Sequence, residues 1–168
     1  MKITFATLIL YFFCIVLYAQ QSTGIIITVL EKQQASMNLD QIKQLPVHRV
    51  DSLRIYNHTG AYRSTLKNIQ GGLLKDLLKD ISFGAESPKV LSEYYLVCEA
   101  TDGYKVVFSW NELFNTPIGN RALLITNIEQ ASNGKEKDLF ALLSTADVAT
   151  GRRYVKGLRY IHIRRIGQ

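Results

Sequence analysis

The stretch Tyr94–Leu113, YYLVCEATDGYKVVFSWNEL, decides the fold, because a strand, a turn, a second strand and a helix start follow one another within it. Its two β-rich runs, Tyr94–Ala100 and Tyr104–Ser109, flank the tripeptide Thr101-Asp102-Gly103. Asp-Gly provides the positive φ angles that a type I′ turn requires. We therefore predict a β-hairpin with Asp102-Gly103 as its two-residue loop.

The length of the loop fixes which side chains face each other across the hairpin. With a two-residue loop, Glu99 lies opposite Val106 and Cys98 lies opposite Val107. This register predicts that Cys98 packs beside aliphatic neighbours as an inert thiol.

The second strand ends on a signal for a helix start. The Ser109 hydroxyl can accept a hydrogen bond from the first helix amides, and Glu112, three residues later, can return the bond as a capping box. Asn38 and Gln41 have the same spacing ahead of a helix that stops before Pro46. Two short capped helices are therefore predicted.

The other segments follow no regular β-α-β order. Gly71-Gly72 is interpreted as a tight turn, and Leu73–Ile81, LLKDLLKDI, has the apolar spacing of an amphipathic helix. Further strands are predicted at Thr23–Leu30, Val47–Tyr56, Tyr62–Ile69, Ala122–Ile128, Leu139–Leu143 and Leu158–Ile166. The expected fold class is α+β, with a mixed or mainly antiparallel sheet and short helices.

The chain begins with Lys2 and an uncharged apolar run, Ile3–Tyr18, that leads to Ala19. This pattern is typical of a secretory signal peptide over residues 1–19, so we expect export to the periplasm or the cell exterior. The alternative is an uncleaved membrane anchor, but the run is short for a span and no Lys or Arg follows until Lys32. Membrane contact is expected only through an uncleaved leader.

Residues 20–168 predict a single domain, because no Pro-, Gly- or Ser-rich linker interrupts them. They retain one cysteine, Cys98, so no internal disulfide can form. The formal net charge of the chain is +6, which favours anionic partners or an anionic membrane surface. The alternative is that the scattered charges serve only solubility.

No catalytic residue and no metal ligand is predicted from motifs. The three histidines, His48, His58 and His162, are far apart in the sequence, and none lies in a nucleophile motif. Cys98 has no CxxC or HxH pattern around it, so zinc is not expected.

The densest basic segment is Gly151–Arg165, GRRYVKGLRYIHIRR, with six Arg and Lys residues and two tyrosines. Arginine binds phosphate or carboxylate with two parallel hydrogen bonds, so an anion site is one interpretation. The other is a solvent-exposed edge strand that its charges protect. Nucleic acid is not an expected partner, since no nucleic-acid-binding motif is present.

Four segments, taken in order, resemble the molybdopterin-binding oxidoreductase domain with the sulfite-oxidase-like fold. They look like the family's leading helix, its Gly-then-Leu-Leu helix, its Asp-Gly-Tyr hairpin with a Glu-Leu helix, and its closing basic run. The segments are Leu39–Pro46 (LDQIKQLP), Gly71–Leu78 (GGLLKDLL), Glu99–Leu113 (EATDGYKVVFSWNEL) and Gly151–Ile163 (GRRYVKGLRYIHI). The resemblance implies this fold and a molybdopterin cofactor.

The chain departs from the family at the metal ligand. Family enzymes hold molybdenum through a cysteine thiolate that precedes the Gly-Leu-Leu helix, and the matching region, Tyr56–Gly72, contains no cysteine. By resemblance, Arg152, Arg153 and Lys156 match the family's basic positions near the pterin phosphate.

These observations favour an exported, non-catalytic domain that binds an anionic small ligand or a protein partner, without a bound cofactor. The alternative is a molybdopterin-dependent oxidoreductase, or a subunit of one. A third interpretation is an envelope structural protein whose Arg-rich strand meets acidic polymer or lipid headgroups.

Overall fold

The two ends of the described chain meet in one sheet. The computed structural model describes residues 24–129 and 140–167, so the predicted signal peptide at 1–19 lies outside the described residues. In spatial order, the first sheet contains β2 (Lys32–Asn38), β1 (Gly24–Val29), β10 (Leu158–Arg165), β5 (Tyr94–Ala100) and β6 (Lys105–Ser109). Strands β1 and β10 are parallel and the other pairs are antiparallel.

The second sheet is antiparallel throughout. Its strands in spatial order are β3 (His48–Tyr56), β4 (Tyr62–Leu73), β7 (Ala122–Glu129), β8 (Ala141–Ser144) and β9 (Val155–Lys156). Among the described residues, the short α-helices are α1 (Leu39–Lys43), α2 (Leu74–Leu78) and α3 (Trp110–Phe114). The 3₁₀ helices in the same ranges are Pro88–Glu93, Pro117–Asn120 and Thr150–Arg153. The fold class is α+β with short helices, as predicted, but the strands form two sheets, one mixed and one antiparallel, where a single sheet was expected. No described helix is long and apolar enough to cross a membrane.

The main hydrophobic core contains side chains from both sheets and from α1, α2 and α3. Ile27 on β1, Leu96 on β5 and Leu142 on β8 are fully buried in it. A smaller second core involves β3, β4, β7 and β8. Burial of apolar surface in these two cores is the main stabilisation of the sheets.

The two capping boxes predicted from sequence are both present. Asn38 Oδ1 accepts from Gln41 N at 2.9 Å, and Ser109 Oγ accepts from Glu112 N at 3.0 Å. The glutamine and the glutamate return hydrogen bonds to the cap amides. The sequence therefore located the starts of α1 and α3 correctly.

The predicted register of the β5–β6 hairpin is wrong by one residue. Cys98 pairs with Val106 and not with Val107, because the loop has three residues, with Ala100 N donating to Tyr104 O at 2.9 Å. Gly103 has φ +85°, as in a type I turn followed by a bulge. The longer loop turns Val106 toward the core and leaves Val107 exposed.

Gly71-Gly72 does not form the predicted turn, because both glycines continue β4. A Cβ on Gly71 would lie 2.0 Å from the Leu124 carbonyl oxygen, and one on Gly72 would lie 2.7 Å from the Leu45 side chain. The glycines are therefore needed for close packing of β4. The predicted helix at Leu73–Ile81 shortens to α2 as a result.

Strand β2 was not predicted. It follows a turn in which Leu30 and Glu31 both have positive φ, at 47° and 65°. Most non-glycine residues avoid this conformation, so the sequence carries no turn signal there.

One threonine fastens the 3₁₀ helix Thr150–Arg153 to the end of β3. The buried Thr150 hydroxyl donates to Arg54 O at 2.7 Å and accepts from Tyr56 N at 3.0 Å. A Cβ on Gly151 would lie 2.7 Å from Tyr56 O, which shows how closely the two segments approach.

Replacing Thr150 with alanine leaves these two backbone groups without their partner. We expect the free energy of unfolding to fall by about 1–3 kcal/mol in Thr150→Ala, measured by urea denaturation. Thr150→Ser keeps the hydroxyl and is the matched control. Equal stability of the two variants would contradict the role of the hydroxyl.

Candidate functional site

The Arg153 guanidinium, which the sequence offered as an anion-binding group, is held by two carboxylates of the chain itself. Its Nε donates to Asp147 Oδ2 at 2.7 Å, and a terminal nitrogen donates to Asp147 Oδ1 at 2.6 Å. The other terminal nitrogen donates to Glu112 Oε1 at 3.0 Å. The guanidinium also lies over the Phe108 ring, 4.3 Å from its centroid.

Each carboxylate has a second partner that fixes its position. Asp147 Oδ1 accepts from the buried Ser144 hydroxyl at 2.7 Å. Glu112 Oε2 accepts from Ser109 N at 2.8 Å, so one carboxylate both caps α3 and binds Arg153. The cluster thereby joins β6 and α3 to the segment that follows β8.

The positive charge of Arg153 is paired with the two carboxylates of this cluster. The Arg153 side chain is only 19% exposed, and hydrogen bonding to Asp147 raises the pKa of its guanidinium further above the usual value. Two carboxylates surround one cation, so the local potential disfavours another anion. The assignment of Arg153 to an anion site stays a prediction, and its contacts argue for a structural role.

The other two predicted residues have different surroundings. Arg152 is exposed, and its carbonyl accepts a hydrogen bond from the Tyr104 hydroxyl at 2.5 Å. Lys156 is exposed on β9, with its ammonium 5.1 Å from the centroid of the Tyr154 ring. Arg152 and Arg153 thus share a 3₁₀ helix, but their side chains differ in exposure. An anion site at these residues stays a prediction.

Cys98 lies in the main core with no exposed surface. Burial raises the pKa of its thiol to about 12, which keeps the sulfur protonated at neutral pH. A metal ligand or a redox-active cysteine needs the thiolate and access to it. The environment of Cys98 provides neither, which matches the inert thiol expected from the sequence.

The region Tyr56–Gly72 forms the end of β3, a turn and most of β4. Asn57 organises the turn, because its Oδ1 accepts from Thr59 N at 3.0 Å and from Ala61 N at 2.9 Å. No cysteine lies in this region, and within 24–129 and 140–167 no group of three or more His, Cys, Asp or Glu side chains could hold a metal. The donor set of the described residues does not fit molybdenum ligation by a thiolate.

An open pocket of about 460 Å³ lies beside α3 and is lined by Trp110 and Phe114. These two residues are four apart and share one helix face, so Glu112, two residues from each, lies on the other face. Its walls come from the end of α2, the following loop, the 3₁₀ helix Pro88–Glu93 and α3. The apolar side chains that line it are Leu78, Ile81, Phe83, Leu91, Trp110 and Phe114.

The aromatic wall of the pocket is a continuous set of ring contacts. Trp110 stacks on Phe114 with ring centroids 5.3 Å apart, because residues four apart share one face of a helix. Phe83 meets Phe114 edge-on at 6.1 Å and meets Tyr94 edge-on at 5.8 Å. The sequence analysis missed these residues, and its available signal was the Trp–Phe spacing directly after the Ser109 cap.

Comparison with known proteins identifies a relationship at the level of the fold. No protein-family profile and no curated protein matches the chain. Its structure is similar to the sulfane dehydrogenase SoxCD from Paracoccus pantotrophus, with a TM-score of 0.58 and 14% sequence identity. The match covers 88% of this chain and 40% of that chain.

This relationship is distant and concerns the fold. It supports the resemblance of the four sequence segments to a sulfite-oxidase-like domain at that coarse level. The chain spans two-fifths of the length of the SoxCD chain, so the activity of the whole dehydrogenase does not follow for this chain.

Replacing Arg153 with methionine would leave Asp147 and Glu112 without their cation. We expect the free energy of unfolding to fall by about 3 kcal/mol in Arg153→Met, measured by urea denaturation. Arg152→Met removes the same charge from the neighbouring exposed residue and should change stability by less than about 0.5 kcal/mol. Equal effects of the two substitutions would contradict a structural role for Arg153.

Labelling with a disulfide reagent such as DTNB tests the burial of Cys98. In the form that begins at Gln20, Cys98 is the only cysteine. We expect no labelling at pH 8 until the protein unfolds, because a thiol with a pKa of about 12 is almost entirely protonated there. Labelling that is faster than global unfolding would show that the thiol is accessible.

Proposed function

We propose that this chain is an exported, non-catalytic binding domain built on a sulfite-oxidase-like fold. The observation that carries the proposal is the donor set. The one cysteine among the described residues, Cys98, is buried and protonated, and the hairpin that matches the family's ligand region has no thiol. A fold of this kind without its soft ligand lacks what fixes molybdenum in place.

The ion pairs of Arg153 also favour a non-catalytic binding domain over an oxidoreductase that anchors a pterin phosphate at this residue. A pterin phosphate needs cations that are free to pair with it. Arg153 is the most enclosed of the three predicted basic residues, and its guanidinium already has both carboxylate partners. A cofactor anchored at Arg153 would have to displace a bidentate ion pair.

Export is part of the proposal and rests on the sequence of the leader. A basic residue, an apolar run and a small residue at Ala19 form the pattern of a cleaved signal. An exported domain without a disulfide depends on packing for its stability, and both hydrophobic cores provide it.

A molybdopterin-dependent oxidoreductase subunit is the second candidate function. The fold likeness to a sulfane dehydrogenase favours it. The SoxCD chain extends well beyond the part that this chain matches, so an oxidoreductase built with this chain would need further protein. In that case a partner would have to supply the missing metal ligand.

Molybdenum content distinguishes the two functions. We expect the protein purified from its own organism to contain no molybdenum above the level found in a Cys98→Ala variant prepared in the same way. Elemental analysis by mass spectrometry measures this. One molybdenum per chain in the wild-type protein would contradict the proposal, and its loss in Cys98→Ala would identify the thiolate as the ligand.

A further inference from the structure

The pocket beside α3 combines an aromatic wall with one cationic lining residue, Lys79. Trp110 and Phe114 present nearly parallel rings, with an interplanar angle of 23°. Leu91 and Ile81 add aliphatic surface. A volume of about 460 Å³ is within the range of small-molecule sites, which are mostly apolar with a few polar groups.

One lysine that lines the pocket is available to pair with an anionic occupant. Lys79 lines the pocket, and its ammonium makes no hydrogen bond or ion pair with the described residues. Glu86 also lines the pocket, and Arg165 lies 3.3 Å from its carboxylate while it binds Glu93 more closely, at 2.7 Å. Lys79 is therefore the lining charge that has no partner among the described residues.

The position of α3 does not depend on a ligand. Glu112 is bound to Arg153 at 3.0 Å and to the Ser109 amide at 2.8 Å, so the helix is fixed from the side away from the pocket. Leu113 is buried in the main core between these two sides. The aromatic wall is thus held in place in advance, which lowers the entropic cost of binding.

From these features we infer that the pocket binds a small aromatic molecule with one acidic group. The ring of the ligand packs against Trp110 and Phe114, and its carboxylate or sulfonate pairs with the Lys79 ammonium. This inference rests on the proposed binding function and names the ligand class.

Two related dyes separate the aromatic part of this recognition from the ionic part. One is 8-anilinonaphthalene-1-sulfonate, and the other is its neutral analogue N-phenyl-1-naphthylamine. Trp110 is the only tryptophan of the chain, so energy transfer from tryptophan to a bound dye reports on this pocket. We expect saturable binding of the sulfonate dye to the form that begins at Gln20, with one site per chain.

Substitutions at the rim test the ionic contact. Lys79→Ala should weaken binding of the sulfonate dye by about two- to fivefold, as expected for an exposed ion pair, and leave the neutral dye unchanged. Lys89→Ala is the matched control, because it removes an exposed lysine from the neighbouring 3₁₀ helix and not from the pocket lining. Equal effects of the two substitutions would overturn the assigned role of Lys79.

Substitution of the wall tests the aromatic contact. Trp110→Ala should weaken both dyes by about tenfold, measured by direct excitation of the dye, whereas Trp110→Phe should retain most of the affinity. Thermal unfolding verifies that the variants are folded. Unchanged dye affinity in a folded Trp110→Ala variant would overturn the site.

The dye experiments and the molybdenum analysis distinguish a failure of the ligand class from a failure of the proposed function. A folded protein that binds neither dye and contains no molybdenum would overturn the ligand class and leave the non-catalytic domain intact. Stoichiometric molybdenum would overturn the proposed function whatever the dyes do.

Discussion

The ion pair between Arg153 and its two carboxylates is the constraint on which the site region depends. One guanidinium binds Asp147 in a bidentate manner and Glu112 through a third hydrogen bond, and it covers the Phe108 ring. Removal of the Arg153 guanidinium would leave two partly buried carboxylates without their cation. An unpaired charge in such surroundings destabilises a protein more than an uncharged side chain there would. The closing segment of the second sheet is thereby fixed against the first sheet.

The Arg153 ion pair and the pocket lie on two different sides of α3, and the sequence alone does not distinguish these two surfaces. On one side of α3, two carboxylates of the chain occupy the Arg153 guanidinium and leave little for an anionic ligand. On the other side, Trp110 and Phe114 form an aromatic wall that faces a pocket. The helix is only five residues long, so its placement depends on Glu112 and the buried Leu113 more than on its own hydrogen bonds.

Local signals in the sequence predicted much of the fold. Both capping boxes were located, because a cap is a contact between residues three apart. Long-range contacts were not predictable. The glycines of β4 are explained by the approach of Leu124 and Leu45, and the hairpin register depends on a one-residue difference in loop length. The pocket unites residues from 78 to 114, and its local signal in the sequence was limited to the Trp–Phe spacing after the Ser109 cap.

One of the two charged partners of Arg153 was hidden for the same reason. Glu112 lies 41 residues away in the sequence and was noticed only as a cap. Composition could identify a basic segment, but it could not show that the chain supplies its own counterions. The absence of a cysteine from Tyr56–Gly72, in contrast, is visible in the sequence itself. The structure adds that Cys98 is too deeply buried to replace that cysteine as a metal ligand.

The most direct test of binding through the aromatic pocket is a map of where a ligand contacts the protein in solution. We would follow backbone amide and Trp110 indole resonances by NMR during a titration with 8-anilinonaphthalene-1-sulfonate. We expect the largest shift changes at residues 78–91 and 110–114, with little change at residues 152–156. Changes concentrated at residues 152–156 would contradict the pocket and return the binding site to the basic segment.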